Sequence, residues 1–457
     1  MVTHPMIENA KLLNSQGLQV IVGLGKTGLS CAKHLAAQGC EIAVTDSRDN
    51  PPGLDAIRQE FPTITLSIGQ FDAALCAKAS RLIVSPGVSL HEPAIAAAIA
   101  QGIPAIGDIE LFAQAAKAPI VAITGSNGKS TVTSLVGEMA QAAGLNVKVG
   151  GNLGTPALEL LSAVEPDLYV VELSSFQLET TYSLRASAAA LLNISEDHMD
   201  RYQDFGEYLR AKQRIYQGCA IPIINREDPL TWQNLGLENP ISFGLNAPEA
   251  ENFGLGQQGD AWFLMRGQEA LIETKAIKIR GRHQLANVLA ALALGQAVTL
   301  PMSAMISTLR KFQGLPHRCQ WVANYHGVDW FNDSKATNVG AAQAAIEGLG
   351  KESAGKLIVI AGGLGKNADF TVLRDSMKHY VRLLILIGQD APLIALALKD
   401  SVAIKWAQNM EEAVNIAHQH AVIGEAVILA PACASFDMFA NFEQRGEVFM
   451  QAVKKLA

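Results

Sequence analysis

The stretch PIVAITGSNGKSTVTSLV, residues 119–136, carries glycines, a lysine and two hydroxyls between an apolar strand and a helix. Successive backbone N–H groups and the dipole of the following helix would bind the phosphates of a nucleotide. The loop is shorter than G-x-x-x-x-G-K-[ST], because the first glycine of that pattern would fall on Ile123. We therefore predict an ATP site unlike that of ordinary P-loop GTPases, formed by Gly125, Asn127, Gly128, Lys129, Ser130 and Thr131.

Groups suited to binding magnesium follow the strands beside this loop. Glu172 ends the apolar strand in YVVELSSFQLE, and a carboxylate at that position next to a phosphate loop suits a Mg²⁺ ligand. The hydroxyl of Ser130 or Thr131 can reach the same ion. Spacing alone does not separate a metal ligand from a surface histidine at His198, in NISEDHMDRY. Lys212, in YLRAKQRIY, has the spacing of a solvated helix lysine.

Another glycine-rich loop lies nearer the amino terminus, in VIVGLGKTGLSCAKHLAAQG. Gly23, Gly25 and Gly28 form a G-x-G-x-x-G pattern between a strand and a helix, which lets the backbone approach a pyrophosphate. Asp46 ends the next strand, about where an acid that binds the ribose of NAD would lie, and Arg48 follows it. The pattern fits NAD, a uridine diphosphate that uses the same amides, or a glycine turn that only packs the helix on the sheet.

The elements that must position these residues alternate along nearly the whole chain. Short apolar runs such as LQVIVGLG, DLYVVELSS and RLLILIG alternate with alanine-rich helical stretches, which predicts an α/β protein with parallel sheets. Between about 241 and 279 the pattern changes to short strands separated by glycine turns. We predict three domains, at 1–108, 109–314 and 315–457.

Composition narrows the range of partners. The 457 residues are 49% hydrophobic and 17% charged, so each domain can bury a core. A net charge of −7 argues against nucleic acid or an anionic membrane surface as a partner. The six cysteines form no C-x-x-C pair, which fits reduced thiols better than a disulfide framework or a zinc site. The apolar runs are too short for membrane insertion, and residues 1–17 lack the apolar core of a signal peptide, so we expect a cytoplasmic protein.

Taken together, these segments resemble the Mur ligase family over nearly the whole chain, and within it the branch that adds D-glutamate. The ordered set of motifs is much more specific than either glycine loop alone. SKATN and ACASFD favour the glutamate-adding branch, and the D-N-P-R motif of the relatives that add meso-diaminopimelate does not occur. The motifs are GLGKTGLS, DSR, SPG, TGSNGKST, GGNLGTP, ELSSFQLE, EDHMDRY, HRC, NDSKATN, GGLGKNADF and APACASFDMF.

The resemblance implies a Rossmann-like N-terminal domain, a central P-loop ATPase-like α/β domain with a small β-rich part, and a Rossmann-like C-terminal domain that closes over the site. It implies addition of D-glutamate to UDP-N-acetylmuramoyl-L-alanine through an acyl phosphate, with ATP and two Mg²⁺ ions. Lys212 matches the family's carbamylated lysine, whose anionic oxygens can bind a metal. We expect a monomer.

The resemblance also gives roles to individual residues. Contacts with the UDP substrate are expected from Thr27, Asp46, Ser47, Arg48, Gly87 and Asn152. Further ATP contacts are expected from Asn287, Arg318, Asp333 and Lys335, and D-glutamate contacts from Thr337, Lys366, Ser435 and Phe442. The expected metal ligands are Ser130, Glu172, His198 and Lys212, and the expected catalytic residues are Lys129, His198, Lys212 and Lys366.

Three alternatives stay open. An NAD-dependent oxidoreductase or dinucleotide sensor would use the first glycine loop and Asp46, but it leaves TGSNGKST and Glu172 unexplained. Another amide ligase of the same superfamily, such as a folate-polyglutamate synthase, would leave the UDP-type first domain without a use. A catalytically silent interaction protein would have little need for Lys129, Glu172, His198 and Lys366 together.

Overall fold

The computed structural model describes residues 16–279 and 281–456. The prediction that the chain has no signal peptide concerns a segment that lies almost wholly outside these residues. The described chain forms three sheets of mostly parallel strands with helices packed on them, which confirms the α/β prediction. The predicted domain boundaries at 108 and 314 stay predictions.

The first sheet has five parallel strands: β1 (Gln19–Val22), β2 (Ile42–Asp46), β3 (Thr65–Ile68), β4 (Arg81–Val84) and β5 (Ala105–Ile106). Their order is β3-β2-β1-β4-β5, so the strand order reverses between β1 and β4. Ligands of open α/β sheets bind at the carboxyl ends of strands beside such a reversal. The helices of this region are α1 (Lys26–Ala37), α2 (Leu54–Glu60), α3 (Ala73–Ala77), α4 (Pro93–Ala100) and α5 (Asp108–Ala115).

The second sheet begins with parallel strands and ends in an antiparallel meander. Its strands are β6 (Ile120–Thr124), β7 (Val147–Gly151), β8 (Leu168–Glu172), β9 (Ala188–Leu191), β10 (Ile221–Asn225), β11 (Ile241–Phe243), β12 (Phe253–Gln258), β13 (Ala261–Arg266) and β14 (Glu269–Glu273). Their order is β14-β13-β12-β11-β10-β9-β6-β8-β7, and only the pairs β12–β13 and β13–β14 are antiparallel. The meander is the small β-rich part that the glycine turns predicted.

The longest described helix around the second sheet, Arg282–Ala297, packs against Lys129–Ala142, the helix that follows the phosphate loop. Six of the described helices surround this sheet. They are α6 (Lys129–Ala142), α7 (Ala157–Leu160), α8 (Ser175–Glu179), α9 (Phe205–Gln213), α10 (Arg282–Ala297) and α11 (Met302–Lys311). Short 3₁₀ turns follow at Arg214–Tyr216, Pro229–Thr231 and Thr274–Ala276.

The third sheet has the order β15-β16-β20-β17-β18-β19, with only β15 antiparallel to its neighbour. These strands are β15 (Gln320–Tyr325), β16 (Val328–Asn332), β17 (Leu357–Gly362), β18 (Val381–Ile387), β19 (Ala403–Trp406) and β20 (Ala426–Leu429). The accompanying helices are α12 (Val339–Glu352), α13 (Arg374–Tyr380), α14 (Ala391–Leu398), α15 (Met410–His420) and α16 (Phe442–Lys454), with a 3₁₀ turn at Phe370–Leu373.

The central strands explain why the sequence shows continuous apolar runs and little alternation. Every residue of β6 and β8 is buried. Successive side chains enter different cores, since Val121 and Ile123 pack on one face of the sheet and Ile120 and Ala122 on the other. Parallel sheets covered by helices on both faces require such runs. Packing on both faces of the sheet therefore fixes the position of β6 and of the phosphate loop that follows it.

Side-chain hydrogen bonds connect the regions around the first and second sheets. Arg201 donates to the carbonyl oxygens of Pro86 and Val88, each at 2.8 Å. Lys26 donates to the carbonyl oxygen of Gly154 at 2.9 Å. These bonds hold the first glycine loop and the loop after β4 against the central region.

Two sequence predictions concern the whole molecule. In the described structure the six cysteines form no disulfide, in agreement with the scattered spacing. Among the described helices, none combines the length and the apolar character that crossing a membrane requires.

Candidate active site

The phosphate loop joins β6 to α6 in a backbone conformation that requires glycine. Gly128 has a φ of 85°, and a Cβ built on it would lie 2.2 Å from Oδ1 of Asn287. No side chain caps the amino terminus of α6. Its free N–H groups and positive dipole end can therefore bind an anion. The close approach also brings Asn287, a predicted ATP contact on α10, against the loop.

Two lysines approach this loop from different helices. Lys129 donates to the carbonyl oxygens of Gly125 and Ser126, at 2.7 and 3.0 Å. Lys212 on α9 donates to Gly125 at 2.9 Å and is only 2% exposed, so its interpretation as a solvated helix lysine is wrong. Burial, and then repulsion from Lys129, lower the pKa of Lys212 well below its ordinary value. Desolvation likewise lowers the pKa of Lys129.

The Glu172 carboxylate ends β8 beside the loop and is 2% exposed. Its Oε1 accepts a 2.6 Å hydrogen bond from Asn152. Its Oε2 is buried without a hydrogen-bond partner in the described structure, as is the hydroxyl of Thr131. Buried polar atoms are normally paired, so orphaned oxygens facing a phosphate loop fit a bound cation. No cluster of three His, Cys, Asp or Glu side chains suited to a metal occurs among the described residues.

His198 and Asp197 lie in the loop after β9. His198 adopts a left-handed backbone with φ of 59°, packs against Phe176, and places Nε2 3.5 Å from Asp197. Burial, aided by the nearby lysines, lowers the pKa of His198, so the neutral imidazole that a metal requires is favoured. Asp197 also accepts a 2.7 Å hydrogen bond from Lys366, whose φ of 53° aims it out of the loop after β17.

Residues of the third region complete the site from the opposite side. Arg318 donates to the Ser130 hydroxyl at 2.7 Å, directly across the boundary between the second and third sheets. Asp333 is buried, which raises its pKa to about 6, and it accepts a bond from the backbone of Cys319 at 3.0 Å. Burial and the nearby Arg318 lower the pKa of Lys335 to about 8. The Lys335 ammonium lies 3.8 Å from the ring centroid of Phe442.

These residues line two cavities that share part of the phosphate loop. One, of about 300 Å³, has the adenine-side and hinge residues on its walls, including Asn287 and Asp333. The other, of about 270 Å³, brings together most of the predicted catalytic and metal-binding residues. Its predicted residues are Asn127, Gly128, Lys129, Ser130, Asn152, Glu172, His198, Lys212, Arg318, Lys335, Thr337 and Lys366.

The remaining predicted residues lie outside these cavity walls. Ser435 is buried after β20, and Phe442 contacts Lys335, which lines both cavities. Thr27 lies in the first turn of α1, Ser47 and Gly87 lie in exposed loops after β2 and β4, and none of them lines either cavity. The structure therefore gathers the loop, metal and lysine predictions in one place, together with Asn152, and leaves the other UDP predictions along the edge of the first sheet.

Asp46 has hydrogen-bond partners within the protein that the sequence did not indicate. It accepts hydrogen bonds from the Leu24 N–H at 2.6 Å and from the Arg48 guanidinium at 2.9 and 2.7 Å. Burial opposes ionisation, but these bonds outweigh it and lower the pKa of Asp46. Both carboxylate oxygens thus accept hydrogen bonds from the protein, which disfavours the interpretation of Asp46 as a ribose-binding acid for NAD. The Arg48 side chain stays at an exposed edge of the sheet.

Seven residues of the second cavity were not in the predicted set, and three of them make contacts that bear on the site. Asp197 and Asn338 connect it to the third region, and Tyr208 hydrogen-bonds Ser126 at 2.9 Å while its ring lies 4.9 Å from Lys212. Asp197 and Asn338 belong to the EDHMDRY and NDSKATN motifs. A signal was therefore present, but only the contacts give these side chains a role.

Family models match three successive parts of the chain. They are described as the Mur ligase MurD-like N-terminal domain at residues 18–107, the Mur ligase middle domain at 123–295, and the Mur ligase glutamate ligase domain at 317–433. The chain belongs to the Mur ligase family. The contacts between Arg318 and Ser130 and between Lys366 and Asp197 join the second and third of these matched regions.

Curated relatives match over nearly the full length. A UDP-N-acetylmuramoylalanine–D-glutamate ligase of Coxiella burnetii (strain Dugway 5J108-111) is 53% identical, covering 97% of this chain and 100% of its own. The ligase of the same name from Nitrosococcus oceani is 54% identical and covers 96% of both chains. That of Pseudomonas syringae pv. tomato is 52% identical over 98% of this Mur ligase and 100% of its own chain.

Solved structures share the fold at much lower identity. A pseudomurein peptide ligase type C from Methanothermus fervidus has a TM-score of 0.60 at 19% identity, covering 96% of this Mur ligase and 100% of its own chain. A MurF ligase from Thermotoga maritima, solved with ADP, has a TM-score of 0.60 at 16% identity and covers 97% and 98% of the two chains. These likenesses support the three-sheet architecture of the Mur ligase fold.

Proposed function

We propose that this Mur ligase joins D-glutamate to UDP-N-acetylmuramoyl-L-alanine with cleavage of ATP to ADP and phosphate, in the synthesis of peptidoglycan precursors. The names of relatives that are 52–54% identical over nearly the full chain support this substrate pair. The match of residues 317–433 to a Mur ligase glutamate ligase domain agrees with it.

One observation carries the proposal in physical terms. The cavity of about 270 Å³ has Lys129 and Glu172 of the central region on one wall and Thr337 and Lys366 of the third region on another. A phosphoryl-transfer site and a hydroxyl and a cation able to bind an acidic amino acid therefore face the same small space. Such an arrangement suits a reaction in which an acid is first activated by ATP and then captured by an amine.

The chemistry explains why cations crowd this site. A carboxylate is a poor electrophile, so one oxygen of the UDP substrate's carboxylate would attack the γ-phosphorus of ATP, forming an acyl phosphate and releasing ADP. The amine of D-glutamate would then attack the acyl carbon, the C–O bond to phosphate would break, and the amine would lose a proton. Lys129 and the free N–H groups of α6 offset the repulsion between carboxylate and triphosphate and stabilise the charge that develops during transfer.

The residues present fit magnesium. Glu172 offers an orphaned carboxylate oxygen, His198 a neutral imidazole, Ser130 a hydroxyl, and Lys212 an amine whose lowered pKa allows conversion to a carbamate. When bound there, Mg²⁺ would neutralise phosphate charge. Two ions are proposed, as the resemblance to the family implies.

We assign the remaining predicted residues to the UDP substrate and D-glutamate. We place the UDP portion at the exposed edge of the first sheet, with Thr27, Ser47, Arg48 and Gly87, and its acidic end near Asn152. Asp46 then acts through Arg48, which it holds by two hydrogen bonds. D-glutamate would lie near Thr337 and Lys366, with Ser435 and Phe442 behind them. We propose that the protein is a monomer in the cytoplasm.

The proposal is tested by following ADP and phosphate release from purified protein with ATP, Mg²⁺, the UDP-linked acid and a panel of D- and L-amino acids. Turnover should require the UDP substrate and should be highest with D-glutamate. Reduction of NAD or stabilisation by NAD in place of the UDP substrate would instead support the oxidoreductase alternative. A folded protein that turns over neither set of substrates would overturn the proposal.

A further inference from the structure

One side chain at the start of α12 contacts three separate parts of the molecule. Oδ1 of Asn338 accepts the Ala341 N–H at 2.8 Å and so caps the helix. Its Nδ2 donates to Oδ2 of Asp197 at 3.1 Å and approaches Oδ1 of Asn127 at 3.4 Å. Asn338 is only 7% exposed. The amide oxygen of Asn338 therefore accepts a hydrogen bond within the third region, and its amide nitrogen donates to the central region.

Both partners across the boundary belong to the reaction site. Asn127 lies in the phosphate loop, and the other oxygen of Asp197 accepts a 2.7 Å hydrogen bond from Lys366. The first turn of α12 lies close against the same surface, since a Cβ on Gly340 would be 2.5 Å from Oγ of Ser195. Gly340 and Ala341 also line the cavity of about 300 Å³. The position of α12 thus bears on both cavities.

We infer that Asn338 is a positioning residue that makes the placement of α12 and Lys366 depend on the phosphate loop, so that closure over the nucleotide and presentation of the amino-acid site occur together. The inference rests on the proposed ligase function for its kinetic consequences, but not for its structural ones. Asp197 serves as the shared acceptor, because its two oxygens take one bond from Asn338 and one from Lys366.

The chemistry of the position requires asparagine for both tasks. Serine, threonine and aspartate all cap helices about as well as asparagine. None of them offers an amide donor beside its acceptor. Aspartate would bring a second negative charge against Asp197, while serine would replace the amide donor with one shorter hydroxyl without adding charge. The two substitutions Asn338→Asp and Asn338→Ser therefore separate the capping role from the contact across the boundary.

Asn409 provides a matched control in the same region. It caps α15 through the same kind of bond, with Oδ1 accepting the Glu412 N–H at 2.9 Å. Asn409 is exposed and lines neither cavity. Asn409→Asp repeats the chemical change at a helix cap without touching the phosphate loop. Its stability and kinetics should stay at wild-type values.

The experiment compares wild type, Asn338→Asp, Asn338→Ser and Asn409→Asp by ligase kinetics, thermal unfolding, UDP-substrate binding and small-angle X-ray scattering with ADP. A lost hydrogen bond to a charged group corresponds to roughly 10- to 100-fold. Both Asn338 variants should lose that much in kcat/KM for D-glutamate, Asn338→Asp more than Asn338→Ser. Both should keep the wild-type unfolding temperature and UDP-substrate affinity, and both should have a larger radius of gyration than wild type with ADP.

Several results would overturn the inference. Wild-type kinetics and scattering in both Asn338 variants would show that the contact positions nothing. Loss of stability or of UDP-substrate binding in parallel with activity would show a merely structural role. A wild-type protein without turnover would instead count against the proposed function, and the scattering comparison would still decide the role of Asn338.

Discussion

Lys129 and Lys212 donate hydrogen bonds to the same acceptor, the carbonyl oxygen of Gly125, at 2.7 and 2.9 Å. Two ammonium groups on one carbonyl in a buried site repel each other. Burial and this repulsion together lower the pKa of Lys212 well below its ordinary value. A neutral amine can add to CO₂, and the resulting carbamate would replace a repelling cation with anionic oxygens.

We expect Lys212 to carry a carbamate in the presence of bicarbonate. Protein equilibrated with ¹³C-labelled bicarbonate should show a carbamate resonance that is missing in Lys212→Ala. The resonance should weaken as the pH falls, because protonation of the amine prevents addition to CO₂. The lowered pKa of Lys212 keeps its amine neutral at pH values where an exposed lysine is protonated, so the signal should outlast that of any surface site.

Loss of the modified side chain should be costly for turnover. Lys212→Ala should lower kcat by roughly 100-fold or more, the usual effect of removing one electrostatic group from a reaction site. A short carboxylic acid added to the assay should restore part of the activity by supplying the missing oxygens. Lys399→Ala, at an exposed lysine that follows α14, should behave as wild type. Unchanged turnover in Lys212→Ala would contradict the prediction.

Lys129→Ala should abolish phosphate release and leave binding of the UDP substrate measurable by calorimetry. The physical reason is location, since Lys129 begins α6 on the phosphate loop, whereas all the proposed UDP contacts except Asn152 lie beside the first sheet. Lys399→Ala again serves as the control. A variant that loses both properties would indicate that Lys129 supports the whole structure, and normal phosphate release would reject its assigned role.

Glu172→Gln should weaken the response to magnesium while keeping the fold. Glutamine can still accept the hydrogen bond from Asn152, but it cannot offer a second anionic oxygen. Activity at saturating Mg²⁺ should fall by roughly 100-fold, and the Mg²⁺ concentration for half-maximal activity should rise. A magnesium titration checks both, with Glu238→Gln at an exposed position as the control. A Glu172→Gln variant with the wild-type magnesium curve would exclude Glu172 as a ligand.

Asp108→Asn should stabilise the protein above pH 7 and have little effect near pH 4. Asp108 is buried with one oxygen unpaired in the described structure, and burial raises its pKa to about 6. A carboxyl with a raised folded-state pKa contributes stability below its unfolded pKa and loses that contribution as the pH rises through about 6. The gain for asparagine at pH 8 should be about 1–2 kcal/mol.

Thermal unfolding at pH 4 and pH 8 measures this difference. Glu110→Gln is the matched comparison, because Glu110 is equally buried but accepts hydrogen bonds from the Tyr182 and Ser183 N–H groups and from Gln114. Its neutralisation should destabilise the protein at pH 8. An Asp108→Asn midpoint that lies below wild type at both pH values would contradict the assigned cost of the buried charge.

Much of the fold follows from patterns that are local in the chain. The continuous apolar runs at β6 and β8 predict strands buried on both faces, and the glycine turns after 241 predict the meander of β12–β14. The order of the motifs likewise indicates the family before any coordinates. These features depend on side-chain hydrophobicity and backbone conformation, and both are set by residues that are close together in the sequence.

The environment of individual site residues depends on segments far apart in the chain. The spacing around Lys212 predicts a solvated side chain, but α9 places it against Gly125, 87 residues away. The position of Asp46 suggests a ribose contact, but the fold gives it Leu24 and Arg48 as partners. Asn338 contacts Asp197 across 141 residues. Sequence determined which groups are available and on which elements, whereas desolvation, mutual repulsion and hydrogen-bond pairing act through space and were decided only by how the sheets pack.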